Sequence, residues 1–160
     1  FERYGERVLS TLEDALAQLL DRHGSPAVPI RVTLIGYSGG GVLAFLLAQR
    51  VAAVDEVITV AAPLDVATWS NYHGYTPLVG SLDPTLVTQR RPLRELHLQG
   101  KQDQQVPPAT TDAFFRKATQ QTKTSVERVI AETYGHRCCW AQGWPHEAVG
   151  RFRKTRLERM

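Results

Sequence analysis

The stretch Arg31-Val-Thr-Leu-Ile-Gly36-Tyr37-Ser38-Gly39-Gly40-Gly-Val42-Leu-Ala-Phe-Leu-Leu-Ala48 decides how this chain folds. Residues 31–36 are short, rich in β-branched side chains and end at glycine, which reads as a buried strand. Residues 42–51 are apolar on nearly every side, which reads as a buried helix. Between them lies Gly36-Tyr37-Ser38-Gly39-Gly40, a G-x-S-x-G placed directly after a strand and before a helix. A serine at so sharp a turn must adopt a strained backbone. Gly36 and Gly40, two residues before it and two after, remove side chains expected to clash there. The turn lifts the hydroxyl above the sheet edge. The helix that follows aims its first N–H groups at the same point, which favours developing negative charge. The N–H of Gly39 is thus the candidate oxyanion donor. A phosphate-cradling loop would need G-x-x-x-x-G-K-[ST], and no lysine follows here.

The pattern extends outward in both directions. Residues 2–23 read as a helix, because Val8, Leu9, Leu12, Leu16, Leu19 and Leu20 recur three or four apart. Gly24 stops it, and Pro26 and Pro29 follow. Residues 54–61 form a second strand ending near Pro63. Residues 64–91 show no sustained period and contain Gly74, Pro77, Gly80 and Pro84, so they read as a long, lid-like irregular connection. Residues 93–98 are a third strand stopped by Gly100. Residues 109–121 are a helix with Phe114, Phe115 and Ala118 on its apolar face. Residues 125–131 are a fourth strand, and residues 144–157 a last helix with Pro145 in its first turn. Alternating strands and helices predict an α/β fold: a parallel sheet of about four strands flanked by helices, in one domain over residues 1–160. Such sheets bind ligands beyond the carboxyl ends of their strands.

Chemistry-bearing residues fall at those ends. A serine hydroxyl is a weak nucleophile that needs a base, and the base needs an orienting acid. Asp103 comes three residues after Gly100, and His136 follows the fourth strand in Tyr134-Gly-His136-Arg-Cys-Cys-Trp140. Asp65, after the second strand, is the rival acid. The remaining histidines are placed less favourably: His23 at a helix end, His97 inside a strand, His146 in the last helix. His73 lies in the long connection. Tyr37, Trp69 and His73 are the substrate-binding candidates, with Tyr72, Tyr75 and Leu78 as further lining. The same aromatics can equally serve to pack residues 64–91 onto the sheet. Cys138 and Cys139 can form a vicinal disulfide or pack as two small hydrophobes, and packing is the expected state.

Composition narrows the classes. The 160 residues carry 19 Lys+Arg against 16 Asp+Glu, a net charge of +3 too weak to mark a nucleic-acid surface. Arg151, Arg153, Lys154, Arg156 and Arg159 crowd the end and read as a solvated helix face. The longest apolar run, residues 42–48, falls far short of the roughly 18 a membrane helix needs. Two adjacent cysteines supply neither a disulfide scaffold nor a zinc site, and nothing in the sequence implies a metal or organic cofactor.

These residues resemble the α/β-hydrolase superfamily. The likeness rests on Gly36-Tyr-Ser38-Gly-Gly40, on Gly100-x-x-Asp103-x-x-Val106-Pro107 and on Gly135-His136, in the order Ser, Asp, His. It implies a Ser38–Asp103–His136 triad and a serine hydrolase, esterase- or lipase-like, acting on small acyl substrates through an acyl-enzyme. It also implies a sheet of about eight strands. The chain starts at Phe1 and holds about half of those, so it reads as the second half of the fold, truncated before its first residue. The loop that usually supplies the second oxyanion donor would precede Phe1. Two expectations follow: an unpaired edge on the first strand, and, as the alternative function, a non-catalytic or inactive module. His136-Arg-Cys-Cys-Trp140 and Ala62-Pro-Leu-Asp65 further resemble a group of exported or lipid-anchored bacterial hydrolases.

Overall fold

The computed structural model describes residues 2–24, 30–120, 125–146, 149–150 and 152. Four strands, β1 (Val32–Tyr37), β2 (Val54–Val60), β3 (Arg94–Gly100) and β4 (Ser125–Ala131), form one sheet in the order β1-β2-β3-β4, and every pairing is parallel. Helix α1 (Glu6–His23) precedes β1, and α2 (Gly39–Ala48), α3 (Val66–Tyr72) and α4 (Asp112–Thr119) occupy the connections between strands. This is the α/β class that the alternating pattern predicts.

The sheet is buried on both faces at its centre. Val42, Phe45 and Leu46 of α2, Leu9 of α1 and Phe114 of α4 pack on one face, over Val57 and Val54. Ile58, Val60, Leu96 and Leu98 look to the other face, against Trp140 and Phe152. Period-2 alternation along β2 and β3 sends neighbouring side chains to opposite faces, and because both faces are covered, nearly every residue of the two strands is buried, polar ones included. Two polar residues of β3 are wholly buried. His97 meets Thr59 Oγ1 at 2.8 Å and Glu95 Oε2 at 3.0 Å, and Arg90 reaches that carboxylate at 3.4 Å. Buried polar groups are tolerated when partnered in this way. Among the described residues β1 pairs only with β2, and its Ile35 and Tyr37 are exposed. The expected open edge is present.

Several boundaries differ from the periodicity. Helix α1 begins at Glu6, because residues 2–5 turn away to meet the connection: Leu82 N–H donates to the Tyr4 carbonyl, and Tyr4 N–H to Ser81 Oγ. Residues 64–91 are less irregular than expected. They contain α3 and a 3-10 turn, Pro84–Leu86. Asp83 links the two, accepting from Thr85 N–H with one oxygen and from Ala67 N–H with the other. The helix expected over 109–121 divides into a 3-10 turn, Pro108–Thr111, and α4. Most of the last helix, and all five basic residues at the end, lie outside the described residues.

Candidate active site

Ser38 lies between β1 and α2 with φ 51° and ψ −127°, a conformation that non-glycine residues seldom adopt. It is held there by its N–H donating to the Val60 carbonyl at 2.8 Å and by its carbonyl accepting from Gly41 N–H at 2.9 Å. A Cβ on Gly36 would run into the Gly40 carbonyl, so that glycine is required. Gly40 is not: a Cβ there meets nothing within 4 Å. Gly41 is crowded instead, since a Cβ there would press on Ala62. The expectation for Gly40 is corrected accordingly, since the close neighbour comes from the end of β2 and not from the turn itself. Gly39 opens α2, where helix geometry leaves its N–H without a partner inside the helix.

The ends of β3 and β4 bring the other two residues to Ser38. Asp103 Oδ1 accepts from the N–H groups of Gln105 (2.8 Å) and Val106 (2.7 Å), which fixes the carboxylate. Its Oδ2 lies 2.8 Å from His136 Nδ1, and His136 Nε2 lies 3.1 Å from Ser38 Oγ. The Asp103 side chain is fully buried and that of His136 nearly so. Gly100 permits the approach, because a Cβ there would collide with the Tyr134 carbonyl as the chain returns from β4. Asp65 is not part of this relay. Its side chain caps α3, accepting from Thr68 N–H at 2.9 Å. The relay of acid, ring and hydroxyl can pull a proton from Ser38 while holding the imidazole in one orientation.

A cleft of about 490 Å³ opens beside Ser38 and Gly39. Of the substrate-binding candidates, Trp69 lines it, and Tyr37 and His73 do not. Tyr37 instead faces His136. Its hydroxyl donates to the His136 carbonyl at 2.9 Å and its ring stands 5.2 Å from the imidazole. Burial, then the Asp103 charge, raises the pKa of that hydroxyl. His73 stacks on Tyr75 and, with Trp69, contacts the Gln105 carbonyl. It braces the cleft wall from behind. The sequence reading missed Arg3, Tyr4 and Ser70, which also line the cleft. Gly5, a helix stop read as helix interior, was the signal that residues 2–4 lie outside α1. Cys138 and Cys139, expected as packed thiols, are joined as a vicinal disulfide in the loop after His136. Among the described residues no helix is long and apolar enough to cross a membrane, and no group of three His, Cys, Asp or Glu is placed to hold a metal ion.

No family model and no curated protein sequence matches the chain. Solved structures do match. The Pyrococcus furiosus esterase Pf2001 is 18% identical with a TM-score of 0.72, over 97% of this chain and 64% of that one. The acylaminoacyl peptidase of Pyrococcus horikoshii is 15% identical with a TM-score of 0.70, over 96% of this chain and 28% of that one. A puromycin hydrolase is 22% identical with a TM-score of 0.61, over 76% of this chain and 21% of that one. The chain has the α/β-hydrolase fold. It spans less than two thirds of the length of each of these α/β-hydrolase-fold neighbours.

Proposed function

We propose that this chain carries the nucleophile, acid and base of a serine hydrolase that acts on carboxylic esters or related acyl compounds. The observation that carries this reading is the unbroken relay, 3.1 Å from Ser38 Oγ to His136 Nε2 and 2.8 Å from His136 Nδ1 to Asp103 Oδ2. The esterase and peptidase names of the structural neighbours agree with it. His136 takes the Ser38 proton as Oγ bonds to the acyl carbon. The bond to the leaving alcohol then breaks, and His136 returns the proton to the alcohol oxygen. Water adds to the acyl carbon in the same way, releasing the acid and restoring Ser38. Asp103 keeps the imidazole in place and stabilises its cation, while Gly39 N–H donates to the oxyanion. Residues 1–160 act as one domain in this reading, with residues 64–91 walling the cleft.

Treatment of the full-length protein with a fluorophosphonate, read by intact mass, tests the proposal. A single adduct that is absent from Ser38→Ala is expected. An adduct retained by Ser38→Ala, or no adduct on protein shown to be folded, would overturn it. The second outcome would favour the non-catalytic module, which draws on the short share of its neighbours' length that this chain spans.

A further inference from the structure

Among the described residues, the lining of the cleft beside Ser38 carries one formal charge, and it is positive: Arg3 lines it, and no Asp or Glu does. No carboxylate among the described residues comes within ion-pair distance of the Arg3 guanidinium. The placement of Arg3 follows from its neighbour. The Tyr4 hydroxyl lies 2.9 Å from where a Cβ on Gly39 would stand, so residues 2–5 end against the start of α2. The Arg3 charge is felt at that hydroxyl, where it opposes the rise in pKa caused by burial. Ser70 makes an independent observation. It is 2% exposed, it belongs to the cleft wall, and its Oγ has no hydrogen-bond partner among the described residues. A buried hydroxyl in that state is unfavourable until something in the cleft supplies the partner. Trp69, Tyr75 and Leu78 supply apolar wall around it.

We infer that the cleft accepts an ester whose acyl portion ends in a carboxylate, a half-ester of a short dicarboxylic acid, with that carboxylate on Arg3 and a polar atom of the substrate on Ser70. This rests on the hydrolase reading of Ser38 and names its substrate class. A planar guanidinium matches one carboxylate with two parallel hydrogen bonds. A doubly charged phosphate would be poorly neutralised by a single cation. The methylene stem between the two carbonyl groups lies against the apolar wall.

The test compares 4-nitrophenyl hemiglutarate with 4-nitrophenyl pentanoate, its neutral counterpart of equal length, on the full-length protein. The ratio of their kcat/KM values is expected to favour hemiglutarate. It is expected to fall about tenfold in Arg3→Gln, a modest factor because Arg3 is exposed and screened. Arg3→Lys, which keeps the charge, is expected to retain most of the preference. A ratio unchanged in Arg3→Gln would overturn the inference. If neither ester is hydrolysed, the fluorophosphonate adduct decides the reading of Ser38, and glutarate binding followed by calorimetry decides the anion site alone. Binding weakened about tenfold in Arg3→Gln would support the site. No binding, or equal binding in the variant, would overturn it.

Discussion

Ser38 holds its positive φ through its bonds to Val60 and Gly41, and the glycines around it are unequally crowded. Gly36→Ala would drive a methyl group into the Gly40 carbonyl. It is expected to destabilise the protein by about 1–3 kcal/mol, the usual range for overpacking. Gly40→Ala enters open space at a helical position. It is expected to be neutral or to stabilise by up to about 1 kcal/mol. Urea midpoints of the two variants check the contrast, and equal midpoints would contradict it. The G-x-S-x-G spacing pointed to Gly36 correctly and to Gly40 wrongly. A spacing pattern counts positions along the chain, whereas the crowding at Gly41 comes from Ala62, beyond another strand. Tyr37 also belongs at this scale. Its raised pKa means that the folded state keeps a proton which the unfolded state loses. That contribution is complete below about pH 10, the ordinary tyrosine value, and is lost as pH rises through the folded pKa. Tyr37→Phe is therefore expected to cost about 0.5 kcal/mol at pH 8, the lower end for an exposed hydrogen bond. The difference from wild type should shrink by pH 11, as read by urea unfolding at both values. A difference that grows with pH would refute this account of Tyr37.

At the scale of elements, the end of α2 depends on a residue more than forty positions away. Arg91 Nη1 donates to the carbonyls of Ala48, Val51 and Val54, and Nη2 to that of Ala52. These carbonyls lie at the C-terminus of α2, in the turn after it and at the start of β2, where helix bonding no longer supplies donors, and that of Val51 also accepts from Val54 N–H. A lysine can approach one or two of them but cannot present a planar fork. Arg91→Lys is expected to cost about 2 kcal/mol, within the range for charge-assisted hydrogen bonds, as measured by thermal unfolding. No loss of stability would show the cap to be dispensable. Periodicity has no means of finding such a contact, because Arg91 lies in a segment without a period. Periodicity also placed the start of α1 four residues early. Val8, Leu9 and Leu12 carry the helical signal, but Gly5 and the bonds from residues 4 to 81–82 end the helix at Glu6.

Across the whole molecule, the two cores fasten four strand ends into one plane, so that Ser38, Asp103 and His136 converge. Phe114 is fully buried and packs edge-on against Phe45, His97 and Phe115. Phe114→Ala is expected to cost about 3–5 kcal/mol, the usual loss for a buried phenyl ring, and to lower the thermal midpoint and any activity together. A variant that unfolds at the wild-type temperature would contradict this picture of the core. The amino-acid sequence by itself determined the parallel α/β order, the sharp turn at Ser38 and the succession of serine, acid and histidine at strand ends. Those features are encoded locally, in residue spacing, β-branching and glycine placement over a dozen positions or fewer. Only the tertiary structure decided that Asp103 rather than Asp65 meets His136. It alone turned Tyr37 away from the cleft and brought Arg3 and Tyr4 into it. Such meetings depend on strand register and on how the connections cross the sheet, which are set by packing between residues far apart in the chain.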